Sequence, residues 1–396
     1  MTITLRPHQR KALNEMLAYD KGQLIIPTGG GKTLCMIHDI VENQKYIDNG
    51  STIVVVAPRI LLAEQLCSEF LEVIDTTHTH VMHVHSGETS HFSTTKAEKI
   101  NLFVNTARTA GENVVIFTTY HSLHRLVEAD IEVNTIYFDE AHNSVQRHFY
   151  PPTDALSKKA DRAFFFTATR KTSVTVKKPG MNWVETYGEV IAKISAPKLV
   201  EQGYILPPKV KVIEMDKIDK KSLTPHLEGR NVLASIDEIS IKKVLVCVKT
   251  TKQLMELFRT DFAYQLEQRD YSYLYITSKT GAVIDGKKVS REKFFETLNA
   301  WGKDIDKKFV VLHRSILSEG INVSELEAVI FLRNMDAIEM LQTVGRVIRV
   351  GSKSKTYGML CVPVYSNVGV TTEKALQRCV DIVFEQGEMY DSVVRR

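Results

Sequence analysis

Two α/β domains in tandem, each built on a parallel sheet covered by helices on both faces, are what this sequence predicts. Three observations carry that prediction. First, short runs that are apolar throughout recur along the chain: Leu24–Ile26, Ile53–Ala57, Val114–Phe117, Ile136–Phe138, Ala163–Phe166, Val244–Val248, Tyr273–Thr277, Phe309–Leu312, Val329–Leu332 and Met359–Val364. Strands without polar alternation are buried on both faces, as in parallel sheets. Second, segments with helical spacing, such as Ile60 to Phe70 and Gln253 to Arg259, lie between many of them, the alternation that yields parallel pairing. Third, the series breaks at Gly203 to Pro208, where Leu206-Pro207-Pro208 precedes a new strand from Val210 to Met215. The boundary is expected there, giving domains 1–206 and 207–396 with a hinge at the joint.

Composition agrees with such a chain and excludes little. At 396 residues, 43% apolar and 25% charged, there is material for two or three cores. The balance of 51 basic against 47 acidic residues, 51 − 47 = +4, permits an anionic partner without the strongly basic signature of a dedicated nucleic-acid domain. Cys35, Cys67, Cys247, Cys361 and Cys379 form no C-x-x-C pair and mostly lie in apolar runs. They read as buried thiols in a reducing compartment. No apolar run approaches the roughly 18 residues that cross a bilayer, and MTITLRPHQRKAL has no signal-peptide core. The expectation is a soluble cytoplasmic protein.

Taken in order, the chemistry begins at LRPHQRKAL, which places Gln9 just before a helix. A Gln amide can pair with the N6 donor and N7 acceptor of adenine, although a lone Gln here is more often a solvated helix residue. The stretch QLIIPTGGGKTLCMIHD follows: a short strand, then Thr28, Gly29, Gly30, Gly31, Lys32 and Thr33, then helical spacing at Leu34, Ile37, Ile40 and Val41. Strand, glycine loop and helix in that order make a phosphate cradle. Backbone N–H groups turn inward, the helix N-terminus adds positive potential, and Lys32 adds a point charge. Thr33 is placed to offer its hydroxyl to Mg²⁺. The strict pattern asks for glycine where Ile26 stands. A Gly-rich turn is the alternative.

The second landmark is Ile136-Tyr137-Phe138-Asp139-Glu140-Ala141-His142. Asp139 at a strand end can hold Mg²⁺ opposite Thr33, and Glu140 can polarise the attacking water. The plainer reading is a helix cap with an acidic first turn. Thr167 and Thr169 follow Phe164-Phe165-Phe166, where two hydroxyls could link the metal site to a neighbouring surface. Near the C-terminus, Gln342-Thr343-Val344-Gly345-Arg346-Val347-Ile348-Arg349 puts two guanidiniums at i and i+3, expected on one side of a helix. Lys217 to Lys243 is polar and weakly periodic and predicts an irregular excursion. His78, His80, His83, His85 and His91 cluster, with His83 and His85 on one strand face. Without a nearby cysteine or a helical HxxxH, a polar strand edge is favoured over zinc. Thr372 to Glu385 reads as a C-terminal helix docked on the second domain.

The order LRPHQ, PTGGGKT, VVAPRILLAEQ, TTYHSL, DEAH, TAT, SEGIN and QTVGRVIR resembles the superfamily 2 helicases and nucleic-acid translocases, from Leu5 to Arg349. YGEVIAKISAPKLVEQGYILPP is similar to the type III restriction-subunit-like branch, which includes phage branch-migration DNA helicases. The resemblance implies two RecA-like lobes with ATP and Mg²⁺ in a cleft between them and nucleic acid across both. Under it, Lys32, Asp139, Glu140, Gln342, Arg346 and Arg349 are catalytic, the last two as arginine fingers. Gln9 reads adenine and Gly320 senses ATP, while Thr167 and Thr169 couple the sites. Arg59, Thr118, Thr119, Thr250, Thr251, Thr277, Ser278, Ser315 and Ser318 contact the nucleic-acid backbone. Asn322 stands where the family commonly has Asp, which removes a charge. The implied activity is an ATP-dependent DNA helicase or translocase, acting with 3′-to-5′ polarity on single-stranded or branched DNA. The rivals are an RNA helicase, a translocase that moves junctions without long unwinding, and an ATP-gated nucleic-acid clamp. A P-loop kinase leaves the Gln342 to Arg349 segment unexplained.

Overall fold

The computed structural model describes residues 4–43, 50–74, 76–87, 89–215, 224–277, 280–314, 325–351, 355–364 and 369–394. The chain divides into two compact units, Met1–Ser195 together with Met389–Arg396, and Ala196–Glu388. Both expected ranges therefore differ: residues 196–206 belong with the second unit rather than the first, and the last eight residues belong with the first unit rather than the second. Ser278, Ser315, Ser318, Gly320 and Asn322 lie outside the described residues.

The first unit holds β1 (Lys21–Ile25), β2 (Thr52–Ala57), β3 (Thr79–Val84), β4 (Phe92–Ser93), β5 (Asn113–Thr119), β6 (Thr135–Phe138), β7 (Arg162–Thr167), β8 (Thr169–Thr172) and β9 (Val190–Lys193). Eight of these form one sheet in the order β4-β3-β5-β2-β6-β7-β1-β9, parallel throughout. β7 is the middle of the working half. Phe164, Phe165 and Phe166 are fully buried, alternating between the two faces. Phe165 stacks on Phe138 with centroids 4.6 Å apart, and each such ring contributes about 1.5–3 kcal/mol by burial.

The second unit holds β10 (Pro208–Glu214), β11 (Lys243–Cys247), β12 (Ser272–Thr277), β13 (Gly281–Ile284), β14 (Lys287–Val289), β15 (Phe309–His313), β16 (Ala328–Phe331) and β17 (Gly358–Val364). Its sheet runs β10-β17-β16-β11-β15-β12-β13-β14, parallel except for the β12-β13-β14 meander at one edge. The last strand, β18 (Tyr390–Val393), pairs with β8 in the first unit. Both units are thus α/β with mostly parallel sheets, as the apolar runs predict.

One local expectation is corrected and another is met. The segment expected to be irregular contains a fifteen-residue helix, Pro225–Ile239, with Pro225 at its first position and Thr224 capping Leu227 N–H. Its buried face mixes Val232, Leu233 and Ile236 with Gly229, Asn231 and Ser235, so small polar residues hide the helical period from a hydropathy reading. The C-terminal helix spans Val370–Val380, and a wider turn at Asp381–Glu385 follows it.

One buried ion pair pins the first unit. Arg162, at the start of β7, donates through Nη1 and Nη2 to both oxygens of Asp39, each at 2.9 Å, and through Nη2 to Met16 O at 2.8 Å. Asp39 is fully buried on the helix Lys32–Asn43 and also accepts from Tyr137 Oη at 2.5 Å. The pair ties β6, β7 and both flanking helices together. Arg162→Leu leaves that carboxylate buried without its guanidinium and is expected to cost about 3–5 kcal/mol in urea unfolding. Asp39→Leu added to it should recover much of the loss.

Candidate active site

Because β6, β7 and β1 are adjacent and parallel, the segments that follow them emerge at the same sheet edge. These are Asp139-Glu140, the turn to Thr169, and the glycine loop. After β1 the chain turns over Pro27, with Gly30 N–H donating to Pro27 O at 2.9 Å, and enters the helix Lys32–Asn43. Gly31 has φ +82°, which strains any side-chain-bearing residue, and a Cβ there would fall 2.1 Å from Gln9 Nε2 and displace that amide. Thr28 and Thr33 are half-buried at either end of the loop.

Gln9 does not precede its helix but lies inside it, at the third position of Pro7–Ala18. Pro7 starts the helix one turn early, and the Gln9 side chain closes the cap by accepting Arg6 N–H through Oε1 at 2.9 Å. Its Nε2 donates to Gly30 O at 3.3 Å. His8 donates to the same carbonyl through Nε2 at 2.8 Å, and burial lowers its pKa, which keeps the ring neutral. His8 was not singled out in the sequence, although it stands beside Gln9.

Lys32 Nζ lies 2.6 Å from Glu140 Oε1 and 4.0 Å from Asp139 Oδ1. Asp139 is buried at the end of β6. Burial raises its carboxyl well above the usual range, opposed by the Lys32 ammonium and assisted by the Glu140 charge. Its backbone is held on both sides, by Asp139 N–H to Val56 O at 2.9 Å and by Tyr120 Oη donating to Asp139 O at 2.9 Å. Glu140 has φ 45° and ψ 52°. A non-glycine residue in this left-handed region costs about 1–3 kcal/mol and persists only where neighbours fix it. Here Asn143 fixes it, donating through its N–H at 3.0 Å and its Nδ2 at 2.9 Å to Glu140 O.

A chain of polar contacts leads away from Glu140. His142 Nδ1 lies 3.5 Å from Glu140 Oε2 and 3.0 Å from Thr167 Oγ1. Thr167 Oγ1 donates to Thr169 O at 2.7 Å and accepts Thr169 N–H at 3.1 Å. Since the hydroxyl proton is spent on Thr169 O, Thr167 accepts from His142, which places the ring proton on Nδ1. Asn143 Nδ2 faces His142 Nε2 at 3.4 Å, in keeping with that tautomer. Thr167 and Thr169 thus join the site through His142, the last letter of the DEAH run.

The residues expected to hold a nucleic-acid backbone divide. Arg59 is exposed just after β2, at the N-cap of the helix Ile60–Leu71. Thr118 and Thr119 are buried at the end of β5, and Thr118 Oγ1 is committed to Val84 O at 2.9 Å. In the second unit Thr250 is exposed and caps the helix Thr251–Leu257 by accepting Gln253 N–H at 3.0 Å. Thr277 Oγ1 is bonded to Thr280 Oγ1 at 2.7 Å.

The helix Ala337–Val347 carries Gln342, half-buried, and Arg346, buried in its last turn. Arg349 is not on that helix. Buried Ile348 ends it, Leu206 N–H donates to Ile348 O at 2.6 Å, and Arg349 forms an antiparallel bridge with Ile205. The two guanidiniums therefore do not share one helix face, because strand-like pairing replaces the last expected turn. Arg333 was not anticipated: it grips Glu339 with both terminal nitrogens and donates to Arg314 O at 2.7 Å. His313 is buried against Cys247 Sγ at 3.2 Å, and burial, with the charges of Arg333 and Arg346, pushes its pKa down to about 3.

Comparison with known proteins addresses the family and the fold. Residues 2–172 match the family described as type III restriction enzyme, res subunit, and residues 230–351 match the helicase conserved C-terminal domain. The ATP-dependent DNA helicase uvsW of Enterobacteria phage T4 is 23% identical over 372 residues, covering 88% of this chain and 67% of the relative. The type ISP restriction-modification enzyme LlaBIII, solved bound to DNA, superposes with TM-score 0.78 at 18% identity, covering 100% of this chain and 31% of the enzyme. LlaGI, in complex with a DNA substrate mimic, gives TM-score 0.70 at 20% identity over 98% of this chain and 30% of its own. This chain thus spans about two thirds of the phage relative and under a third of either restriction enzyme. Among the described residues no helix is long and apolar enough to cross a membrane. With both halves matched in order, the chain belongs to the superfamily 2 helicases, which are ATP-hydrolysing enzymes, on the type III restriction-subunit-like branch.

Proposed function

We propose that this chain is an ATP-dependent DNA helicase or translocase, and that it acts on single-stranded or branched DNA with 3′-to-5′ polarity. The observation that carries the reading is the Lys32 ammonium set between the Glu140 and Asp139 carboxylates, at the edge where a glycine loop opens a helix. DNA is preferred to RNA because the phage relative is named a DNA helicase and two structural neighbours were solved with DNA or a DNA mimic.

The residues suit Mg²⁺. Asp139 Oδ1 is buried with no hydrogen-bond partner, and the Thr33 hydroxyl at the helix start supplies a second hard oxygen. Mg²⁺–ATP, when bound, supplies the phosphoanhydride to be cleaved and neutralises charge on its oxygens. The chain's own part begins with Lys32. Its ammonium exchanges Glu140 for phosphate oxygens, which releases a carboxylate that it otherwise holds at 2.6 Å. Glu140, steadied by His142, then orients a water and takes its proton. Gln342 helps position that water, while Arg346 and Arg349 stabilise charge developing on the γ-phosphate. Arg59, Thr119, Thr250 and Thr251 hold backbone phosphates without reading bases.

Steady-state ATPase measured across single-stranded DNA, duplex, fork, four-way junction and RNA tests the reading. Stimulation by DNA and not by RNA is expected, and the reverse would assign the chain to RNA. Lys32→Ala, Glu140→Gln and Arg349→Ala should each lower stimulated turnover by about tenfold or more. Asp139→Asn should abolish turnover yet stabilise the nucleotide-free fold. A carboxyl whose folded pKa is raised favours folding below its unfolded pKa and loses that contribution as pH rises towards the folded value, about 7. The Tm gain of Asp139→Asn should therefore be larger at pH 8 than at pH 5.

A further inference from the structure

The C-terminal strand has a place in the fold that the two matched domains do not explain. β18 runs parallel to β8, aligning Tyr390 with Thr169, Asp391 with Arg170, Ser392 with Lys171 and Val393 with Thr172. These two strands form their own sheet, so β18 supplies the ladder that holds β8. Val394 N–H extends the pairing to Thr172 O at 2.8 Å, and its side chain packs on the first unit's core. Arg170 Nη2 adds a half-buried ion pair to Asp391 Oδ2 at 3.3 Å. β8 is also the strand that begins at Thr169, whose N–H and carbonyl both engage the Thr167 hydroxyl.

The chain that delivers β18 carries almost no slack. The second unit's last helix, Val370–Val380, passes into the turn Asp381–Glu385. Gln386 N–H donates to Asp381 O and Glu388 N–H to Ile382 O, both at 2.8 Å. Only Met389 separates that fastened end from Tyr390, the first residue paired to β8. A long flexible linker would absorb a displacement, whereas one residue of trans peptide, about 3.8 Å between Cα atoms, passes it on.

We propose that β18 is a coupling strap: it positions the backbone of Thr169 and relays movement of the second unit's last helix through Thr167 and His142 to Glu140. Its role is to make ATP turnover respond to nucleic acid, so the proposal rests on the function proposed above. Tyr390 to Val394 touch neither nucleotide nor nucleic acid in this scheme and act as positioning residues. Disturbing them leaves the basal reaction intact and uncouples the stimulated one.

Since Val394 N–H faces β8, the two-residue repeat turns Ser392 N–H towards β8 and Val393 N–H away from it. Ser392→Pro therefore breaks the ladder, and Val393→Pro spares it. A chain ended at Glu388 removes the strand outright. With saturating single-stranded DNA, Ser392→Pro and the shortened chain should lose about fivefold or more of the DNA stimulation of kcat, the low end of measured coupling between sites. Basal kcat and the KM for ATP should be unchanged, and Val393→Pro should behave as wild type. Asp391→Arg should lower stimulation, and adding Arg170→Asp should restore it. Undiminished stimulation in the shortened chain overturns the strap, as does a basal rate that falls in step with the stimulated one, which marks a merely structural strand. A wild-type chain whose ATPase ignores every nucleic acid overturns the functional reading instead, so the two failures are distinguishable.

Discussion

Parallel pairing of β6, β7 and β1 is the constraint on which the rest depends. In a parallel sheet every strand ends on the same edge, so groups more than a hundred positions apart in sequence become neighbours once the strands align. Lys32 and Glu140 meet at 2.6 Å because Phe138 registers with Phe165, and Ile25 with Thr167, across a common middle strand. The buried Phe164-Phe165-Phe166 run packs that strand on both faces. Neighbouring β2 and β5 end on the same edge and bring Arg59 and Thr119 there. The glycine loop, the acidic strand end, Arg59 and Thr119 therefore all lie at one edge of the first unit's sheet.

The electrostatics of the edge follow from burial. Two carboxylates and one ammonium sit together with little water. Asp139 is costly to ionise in such surroundings, and Lys32 is the group that offsets the cost. The same ammonium holds Glu140, so one lysine serves both acids while no phosphate competes for it. Glu140 bears further strain from its left-handed backbone. Local destabilisation concentrated in this way is what a site shows when its geometry answers to chemistry rather than to stability.

Beside that site, His142 lies 3.5 Å from Glu140 and is hydrogen-bonded through Thr167 to Thr169. The Thr167 hydroxyl donates to Thr169 O and accepts from both Thr169 N–H and His142 Nδ1, which fixes the imidazole tautomer. These contacts end at β8, whose partner comes from the far end of the chain. Tertiary structure thereby joins the DEAH segment to residues that follow it by some 250 positions.

What the sequence determined by itself was whatever local pattern controls. Fully apolar runs gave both sheets, because a strand buried on two faces has no polar alternation to disguise it. The glycine loop after β1 and the acidic end of β6 were legible because Gly29 to Thr33 and Asp139-Glu140 are distinctive residue types at short spacing. Only the tertiary structure decided three other matters. Arg349 leaves its helix because Ile205 and Leu206 offer strand-like pairing that the Gln342 to Arg349 spacing cannot reveal. The helix Pro225–Ile239 hid because Gly229, Asn231 and Ser235 share its buried face with Val232, Leu233 and Ile236, which only the packed fold reveals. β18 carries no strong local signal, since Tyr390 to Val393 become a strand only when β8 presents an open ladder. Short-range pattern reports which surfaces must be buried, while pairing between distant segments depends on which partner the finished fold leaves within reach.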